Sequence, residues 1–174
     1  MCYNLLKREV IILKIYIIGP PASGKTTLSK VLSKKYNIER YELDKLVFDD
    51  LNNHIRRDDE TIMKIFNDIL SKDSFMIEDV GRSKFIKGLE KCDRIYYISI
   101  KKREVYKRVI RRWIKQRKGR EEYNYPPTLA QLIDMFRVVN SYYKKEKKKL
   151  DYINKFKEKV IYLDKDKLNE LENR

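Results

Sequence analysis

The sequence predicts an α/β fold, three layers deep, with a five-stranded parallel sheet covered by helices on both faces. Three observations carry this. Short apolar, β-branched runs alternate with longer segments whose apolar residues recur at helical spacing. Five such strand-like runs occur, with helical segments between them, as parallel neighbours require. A loop bearing two of the chain's five glycines joins the first run to the first helical segment. The 174 residues fit one domain with a sizeable core, without internal repeat, low-complexity tract or linker.

In chain order, residues 1–9 read as a loosely attached extension. Ile12–Ile18 is the first strand, Gly19–Gly24 a loop, and the following segment a helix through about Tyr36. Ile38–Leu43 is a short second strand. Asp58–Ser71 is helical, with Ile62, Ile65, Phe66 and Ile69 on one face. Phe75–Asp79 is the third strand, Ser83–Lys91 a short helix and Arg94–Ile100 the fourth strand. Lys102–Lys118 is a strongly basic helix, and Gly119–Pro127 a polar loop. Thr128–Asp151 reads as one long helix, with Leu129, Leu132, Ile133, Phe136, Val139 and Tyr143 on a stripe. Lys159–Leu163 is the fifth strand, and the tail is helical.

Composition excludes several classes. Cys2 and Cys92 form no C-x-x-C pair, and with the lone His54 they offer no zinc cluster. That cysteine usage suits a reducing cytoplasm. The longest apolar run, Val10–Ile18, is interrupted by Lys14 and falls short of the ~18–20 residues a membrane span needs. Residues 1–9 lack a leader pattern, so no membrane role is expected. The net charge of +15 attracts phosphate in any form, nucleic acid included. Most of the excess is lysine spread along helices, and the run Lys144–Lys149 reads as a solvated face. Nucleic acid is therefore not the favoured partner.

Gly19-Pro20-Pro21-Ala22-Ser23-Gly24-Lys25-Thr26 matches G-x-x-x-x-G-K-[ST]. The spacing has a physical reason. Glycines permit positive φ and close backbone approach. Successive N–H groups then face inward and cradle phosphate oxygens at the positive end of the next helix. Lys25 reaches the β- and γ-phosphates, and the Thr26 hydroxyl is placed for Mg²⁺. At this chain's own residue frequencies, such a match arises by chance on the order of 10⁻³. Its place between a strand and a helix is what the mechanism needs. The fold expected is the P-loop NTPase fold, and the expected ligands are ATP or a similar nucleotide, with Mg²⁺. Residues 19–26 with Thr27 are the candidate nucleotide contacts.

With the loop in place, residues Ile12 to about Leu171 resemble the adenylate-kinase-like group of P-loop small-molecule kinases. Within it the chain is most similar to the bacterial DNA topology modulation proteins. The resemblance implies that Asp44, in Tyr41-Glu-Leu-Asp-Lys-Leu46, faces an acceptor substrate or contacts Mg²⁺. A helix cap is its structural alternative. It further implies that Glu78 and Asp79 serve Mg²⁺ through water and that Arg82 holds an acceptor phosphate. The group usually has Asp-Gly where this chain has Glu78-Asp79, so either carboxylate fills the metal role. One of them as a cap and Arg82 as a surface residue are the alternatives. Residues from about 44 to 72 would bind the acceptor, and about 108–127 would form a basic helical lid.

Residues Lys101–Arg120 carry eleven basic side chains and one acidic one, Glu104. Arg108, Arg111, Arg112 and Lys115 share a face, beside a stripe of Val105, Val109 and Trp113. Like charges at i, i+4 repel, so an anionic partner would offset them. A closing lid in phosphoryl transfer is such a role. Arg112, Arg117 and Arg120 are the candidate lid arginines. Arg137, on the long helix, is either a site or a surface residue. The turn Asp164–Lys167 would pack against adenine through its backbone, as the resemblance implies. His54, without an evident partner, reads as incidental.

The expectation is a cytoplasmic phosphotransferase moving the γ-phosphoryl of ATP to a small acceptor, such as a nucleoside or nucleotide. Lys25, Asp44, Arg112, Arg117 and Arg120 would be its catalytic groups. The alternatives are a nucleotide-dependent regulator binding DNA or RNA through the basic helix, and a plain NTPase. Oligomeric state is not readable from the sequence.

Overall fold

The computed structural model describes residues 12–49, 55–121 and 127–172. Its central strand is β1 (Lys14–Ile18), whose last four side chains are almost wholly inaccessible. Next come α1 (Lys25–Tyr36), β2 (Arg40–Glu42), the one-turn α2 (Leu43–Val47) and a small antiparallel pair, β3 (Phe48–Asp49) with β4 (Ile55–Arg56). The helix α3 (Asp59–Leu70) starts where the Asp58 carboxylate accepts the Thr61 N–H at 2.8 Å, with Asp59 and Glu60 in its first turn. Then follow β5 (Phe75–Asp79), a 3₁₀ turn at Ser83–Phe85, α4 (Ile86–Lys91), β6 (Arg94–Ile98) and α5 (Lys102–Arg117). The chain ends with α6 (Leu129–Lys144), α7 (Glu146–Ile153), a 3₁₀ stretch, β7 (Val160–Leu163) and α8 (Lys165–Glu172).

Five strands form one parallel sheet in the order β2-β5-β1-β6-β7, as expected. Alternate residues of its central strands feed two separate cores. Tyr16, Ile18, Phe75, Ile77, Ile95 and Tyr97 pack with Leu46, Phe66, Leu89 and Ile153, from α2, α3, α4 and α7. Ile15, Ile17, Met76, Tyr96 and Ile98 pack with Leu28, Leu32, Val105, Val139 and Leu168, from α1, α5, α6 and α8. Double coverage explains why the central strands read as continuous apolar runs rather than alternating ones. It also locates a crevice. The helix after β1 lies on one face and the helix after β5 on the other, so the carboxyl ends of these neighbouring strands part at a switch point.

The structure corrects some expected elements. The second strand is three residues long, and Leu43 already belongs to α2. The β3–β4 pair had no signal in the sequence. The long helix over 128–151 is two helices, broken where Lys145 leaves helical geometry at φ −100°, ψ 2°. The cause lies in burial on opposite faces: Val139 of α6 belongs to one core and Ile153 of α7 to the other. A straight helix cannot serve both. The run Lys144–Lys149, with five lysines stacked at i, i+3 and i, i+4, weakens the helix at that point. The expected stripe on α6 also divides. Leu132, Phe136, Val139 and Tyr143 pack inward, while Leu129 and Ile133 are exposed. Among the described residues no helix is long and apolar enough to cross a membrane.

Candidate active site

The loop after β1 has the backbone geometry its glycines predict. Gly24 sits at φ 102° and Ala22 at φ 54°, so the chain reverses its hand on entering α1. A side chain at Gly19 would stand 2.8 Å from Ser23 Oγ and 2.9 Å from Ile98 Cβ, which only glycine avoids. The Lys25 ammonium donates to Pro20 O at 2.8 Å and Gly19 O at 3.2 Å, folding its stem over the loop. Burial pushes its pKa down, against the pull of Glu78, Asp44 and Asp79. Ser23 is fully buried and its hydroxyl has no hydrogen-bond partner among the described residues. The N–H groups of this loop, at the start of a twelve-residue helix, suit an anion.

Beside the loop lies the end of β5. Glu78 and Asp79 are both buried, yet they are committed differently. The Thr26 hydroxyl donates to Glu78 Oε2 at 3.0 Å, while Arg40 on β2 donates to Oε1 at 2.8 Å and also to Glu42. Burial pushes the Glu78 carboxyl up, with Glu42 adding to it. Asp79 instead accepts the Arg82 backbone N–H at 2.6 Å and an ion pair from the Arg82 guanidinium. The other side of that guanidinium pairs with Asp44. Asp44 therefore caps nothing. It lies inside the first turn of α2, whose cap position is Glu42, and its carboxylate is spent on Arg82. The structure thus joins Asp44, Arg82 and Asp79 in one chain of ion pairs, while Glu78 turns to Thr26 and Arg40.

These residues fit a hard divalent ion held mainly by phosphate oxygens and water. Thr26 and Glu78 form an oxygen donor pair beside the loop, and no cluster of three His, Cys, Asp or Glu occurs among the described residues. Asp79, saturated by Arg82, is the lesser candidate.

The basic helix meets the loop through an arginine other than those singled out. Arg108 Nη1 donates to Ser23 O at 2.7 Å. Arg112 pairs with Glu121 at 3.1 Å, and the Arg117 guanidinium stacks on the Trp113 ring at 5.0 Å. Arg120 closes the end of α5 through its own N–H to Lys115 O. Arg117 and Arg120 thus lie at the C-terminal end of α5, while Arg112 lies one turn beyond Arg108. Arg137 is exposed and pairs with Asp134. Asp164 accepts N–H bonds from Asp166 and Lys167, so this turn is a helix cap for α8. His54, and residues 122–126 of the expected lid, lie outside the described residues. Arg40 and Arg108 are the site residues that sequence reasoning missed. The i, i+2 spacing of Arg40 and Glu42 was a signal for the first pair, and Arg108 stood on the basic face already recognised.

A parallel sheet with this strand order and this loop defines the class: a P-loop NTPase. The chain belongs to the Novel STAND NTPase 3 family, whose model matches residues 3–158. Among solved structures it is similar to a gluconokinase from Sinorhizobium meliloti 1021, at TM-score 0.55 and 12% identity over 93% of this chain and 88% of that one. A shikimate kinase from Bacteroides thetaiotaomicron is similar at TM-score 0.54 and 13% identity, over 93% and 95%. An uncharacterized protein from Eubacterium ventriosum ATCC 27560 is similar at TM-score 0.50 and 19% identity, over 94% and 95%. At such identities the likeness is one of fold. No curated protein matches this chain.

Proposed function

We propose that this protein is a phosphotransferase that moves the γ-phosphoryl of ATP to a small acceptor. One observation carries the reading. The loop lysine feels the charges of two differently built groups, the Thr26–Glu78 pair and the Asp44–Arg82–Asp79 chain of ion pairs. A hydrolase needs the first. The second, a cation and an exposed carboxylate near the phosphate loop, suits recognition of a second molecule. The residue-level resemblance to DNA topology modulation proteins, in Leu43-Asp44 and Arg82, supports this acceptor side.

In this reading the loop N–H groups and Lys25 hold the β- and γ-phosphates. Thr26 and Glu78 would hold Mg²⁺, which would supply positive charge to the phosphate oxygens. Asp44 accepts a hydrogen bond from the acceptor hydroxyl, and Arg82 binds an anionic group of the acceptor. Arg108 fixes the loop, and Arg112, Arg117 and Arg120 bring charge to the transferring group on closure. The reaction depends on positioning and electrostatics. A reducing, ATP-rich cytoplasm suits it, and Cys92 stays a thiol because burial pushes its pKa up to about 12.

The family match favours a second reading, a plain nucleotide hydrolase; the exposed basic face of α5 is what supports a nucleotide-dependent regulator of nucleic acid. An ATP-consumption screen over nucleosides, nucleotides, sugars and small acids, with products identified by mass, separates the two. A phosphorylated product that needs one acceptor class supports the kinase. Release of inorganic phosphate at the same rate with and without every acceptor rejects it.

A further inference from the structure

We propose that Lys149 of α7 is a positioning residue for this site, holding the Val80–Gly81 turn from which Arg82 reaches Asp44 and Asp79. The inference rests on the reading of Arg82 as an acceptor contact, and it adds a helix that no motif assigned to the site.

Lys149 is only 8% exposed, although it lies in a run of lysines. Its ammonium donates to Val80 O at 2.6 Å and stands 3.7 Å from the centre of the Tyr142 ring. A second side chain from the same helix, Tyr152, donates its hydroxyl to Gly81 O at 2.9 Å. Both carbonyls of the turn are thus held by α7. The stem of Lys149 lies against the turn as well. A side chain at Gly81, which sits at φ 77°, would meet Ile18 Cγ2 at 3.2 Å and Lys149 Cδ at 3.3 Å. The turn is gripped between the last residue of β1 and this lysine.

Packing alone does not call for an ammonium here. A methionine or leucine would cover Tyr142 without the cost of a buried charge. Among the described residues no carboxylate lies within ion-pairing distance of Lys149. The charged groups facing it are Asp79 of β5, Arg82 beyond it, Lys145 at the elbow between α6 and α7, and Lys25 of α1. Burial first, and then those three cations, push its pKa down to about 8, with Asp79 opposing. What the ammonium gains is a charge-assisted bond to Val80 O. That bond fixes the turn two residues before the guanidinium that bridges Asp79 and Asp44. The turn is therefore held from α7 as well as through the Arg82 N–H.

The test uses the full chain labelled with ¹⁵N, following the Arg82 Nε–H signal, which Arg82→Lys identifies by its loss. In the wild type this signal should shift between pH 7 and 9 with a midpoint near 8, as Lys149 loses its proton. In Lys149→Arg that titration should vanish while the signal keeps its low-pH position. In Lys149→Met the signal should be displaced or broadened at every pH. With an acceptor found by the screen, Lys149→Met should raise the acceptor KM about 10-fold or more, a magnitude in line with small misplacements of binding groups. The KM for ATP should stay within about two-fold, and Lys149→Arg should restore acceptor binding. A wild-type Arg82 signal that stays flat through the pH range in which the Lys149 ammonium is itself seen to lose its proton overturns the inference, without relying on any variant to fold. So does an acceptor KM unchanged in Lys149→Met. If the screen finds no acceptor, the kinase reading fails by itself and the Arg82 signal alone decides whether Lys149 holds the turn.

Discussion

Replacing Arg82 with alanine tests the charge architecture of the site, and its magnitude can be worked out from burial. Arg82 makes two ion pairs of unequal weight. The Asp44 side chain is 62% exposed, so that pair contributes about 0–1 kcal/mol to stability. The Asp79 side chain is wholly inaccessible, and removing one partner of a buried pair costs about 3–5 kcal/mol because the other charge is stranded. Two facts lower that figure. Arg82 itself is a quarter exposed, and its backbone N–H still bonds Asp79 in the variant. The expected loss is about 2–3 kcal/mol at pH 7, or roughly 5–10 °C in Tm for a chain of this size. Urea unfolding followed by circular dichroism measures it. Asp44→Asn should cost under about 1 kcal/mol in the same assay. Combining Arg82→Ala with Asp79→Asn should recover at least about 1 kcal/mol, since the carboxylate that lost its guanidinium is then gone as well, a gain reduced but not cancelled by the weaker pull on Lys25 and Lys149. A loss below about 1 kcal/mol for Arg82→Ala, or a double variant less stable than Arg82→Ala, would refute the reasoning.

Other changes separate the roles around it. Lys25→Ala should abolish turnover and weaken binding of a non-hydrolysable ATP analogue in calorimetry; unchanged affinity and turnover would remove Lys25 from the site. Asp44→Asn should impair the acceptor step and leave ATP affinity within a few-fold, whereas full activity with the identified acceptor would leave it a purely structural partner of Arg82. Replacing Arg112, Arg117 and Arg120 together with alanine should lower kcat by ~10³ if they close over the transferring group. If α5 serves nucleic acid instead, kcat should hold, and the salt slope of duplex binding should flatten by roughly 0.9 for each lost phosphate contact.

The parts of the site that were legible in the sequence are those whose chemistry fixes their spacing. Gly19, Gly24, Lys25 and Thr26 are bound to one another by a single loop geometry, so the motif carries its own structure. The end of β5 was legible in identity but not in role. Glu78 and Asp79 are neighbours in the chain, yet strand alternation turns them to opposite faces, one toward Thr26 and Arg40, the other toward Arg82. Which does what depends on strand order, because Arg40 meets Glu78 only where β2 lies beside β5. Lys149 was hidden for a different reason. A six-residue stretch with five lysines reads as solvated, and the helix break at Lys145 that turns one of them inward answers to two cores on opposite faces of the sheet. Periodicity along one helix carries no record of that.

The same contrast governs the net charge of +15. Around Lys25 the charges nearly cancel: Lys25, Arg40, Arg82 and Lys149 stand among Glu42, Asp44, Glu78 and Asp79. The excess therefore lies elsewhere, much of it on the exposed faces of α5 and the lysine run. Beyond a Debye length of about 8 Å at physiological salt, such charge is largely screened. It raises the local concentration of anions and speeds their arrival, and it does not choose among them. Choice falls to the balanced interior of the site, where each cation is already matched by a carboxylate or a backbone carbonyl. An incoming phosphate must compete with Gly19 O and Pro20 O for the Lys25 ammonium. A ligand that offers only charge gains little by that exchange, whereas one that also fills the N–H cradle of the loop gains it back. The basic surface is thus compatible with nucleotide and nucleic acid alike, and the arrangement around Lys25 favours a terminal phosphate that can enter the loop.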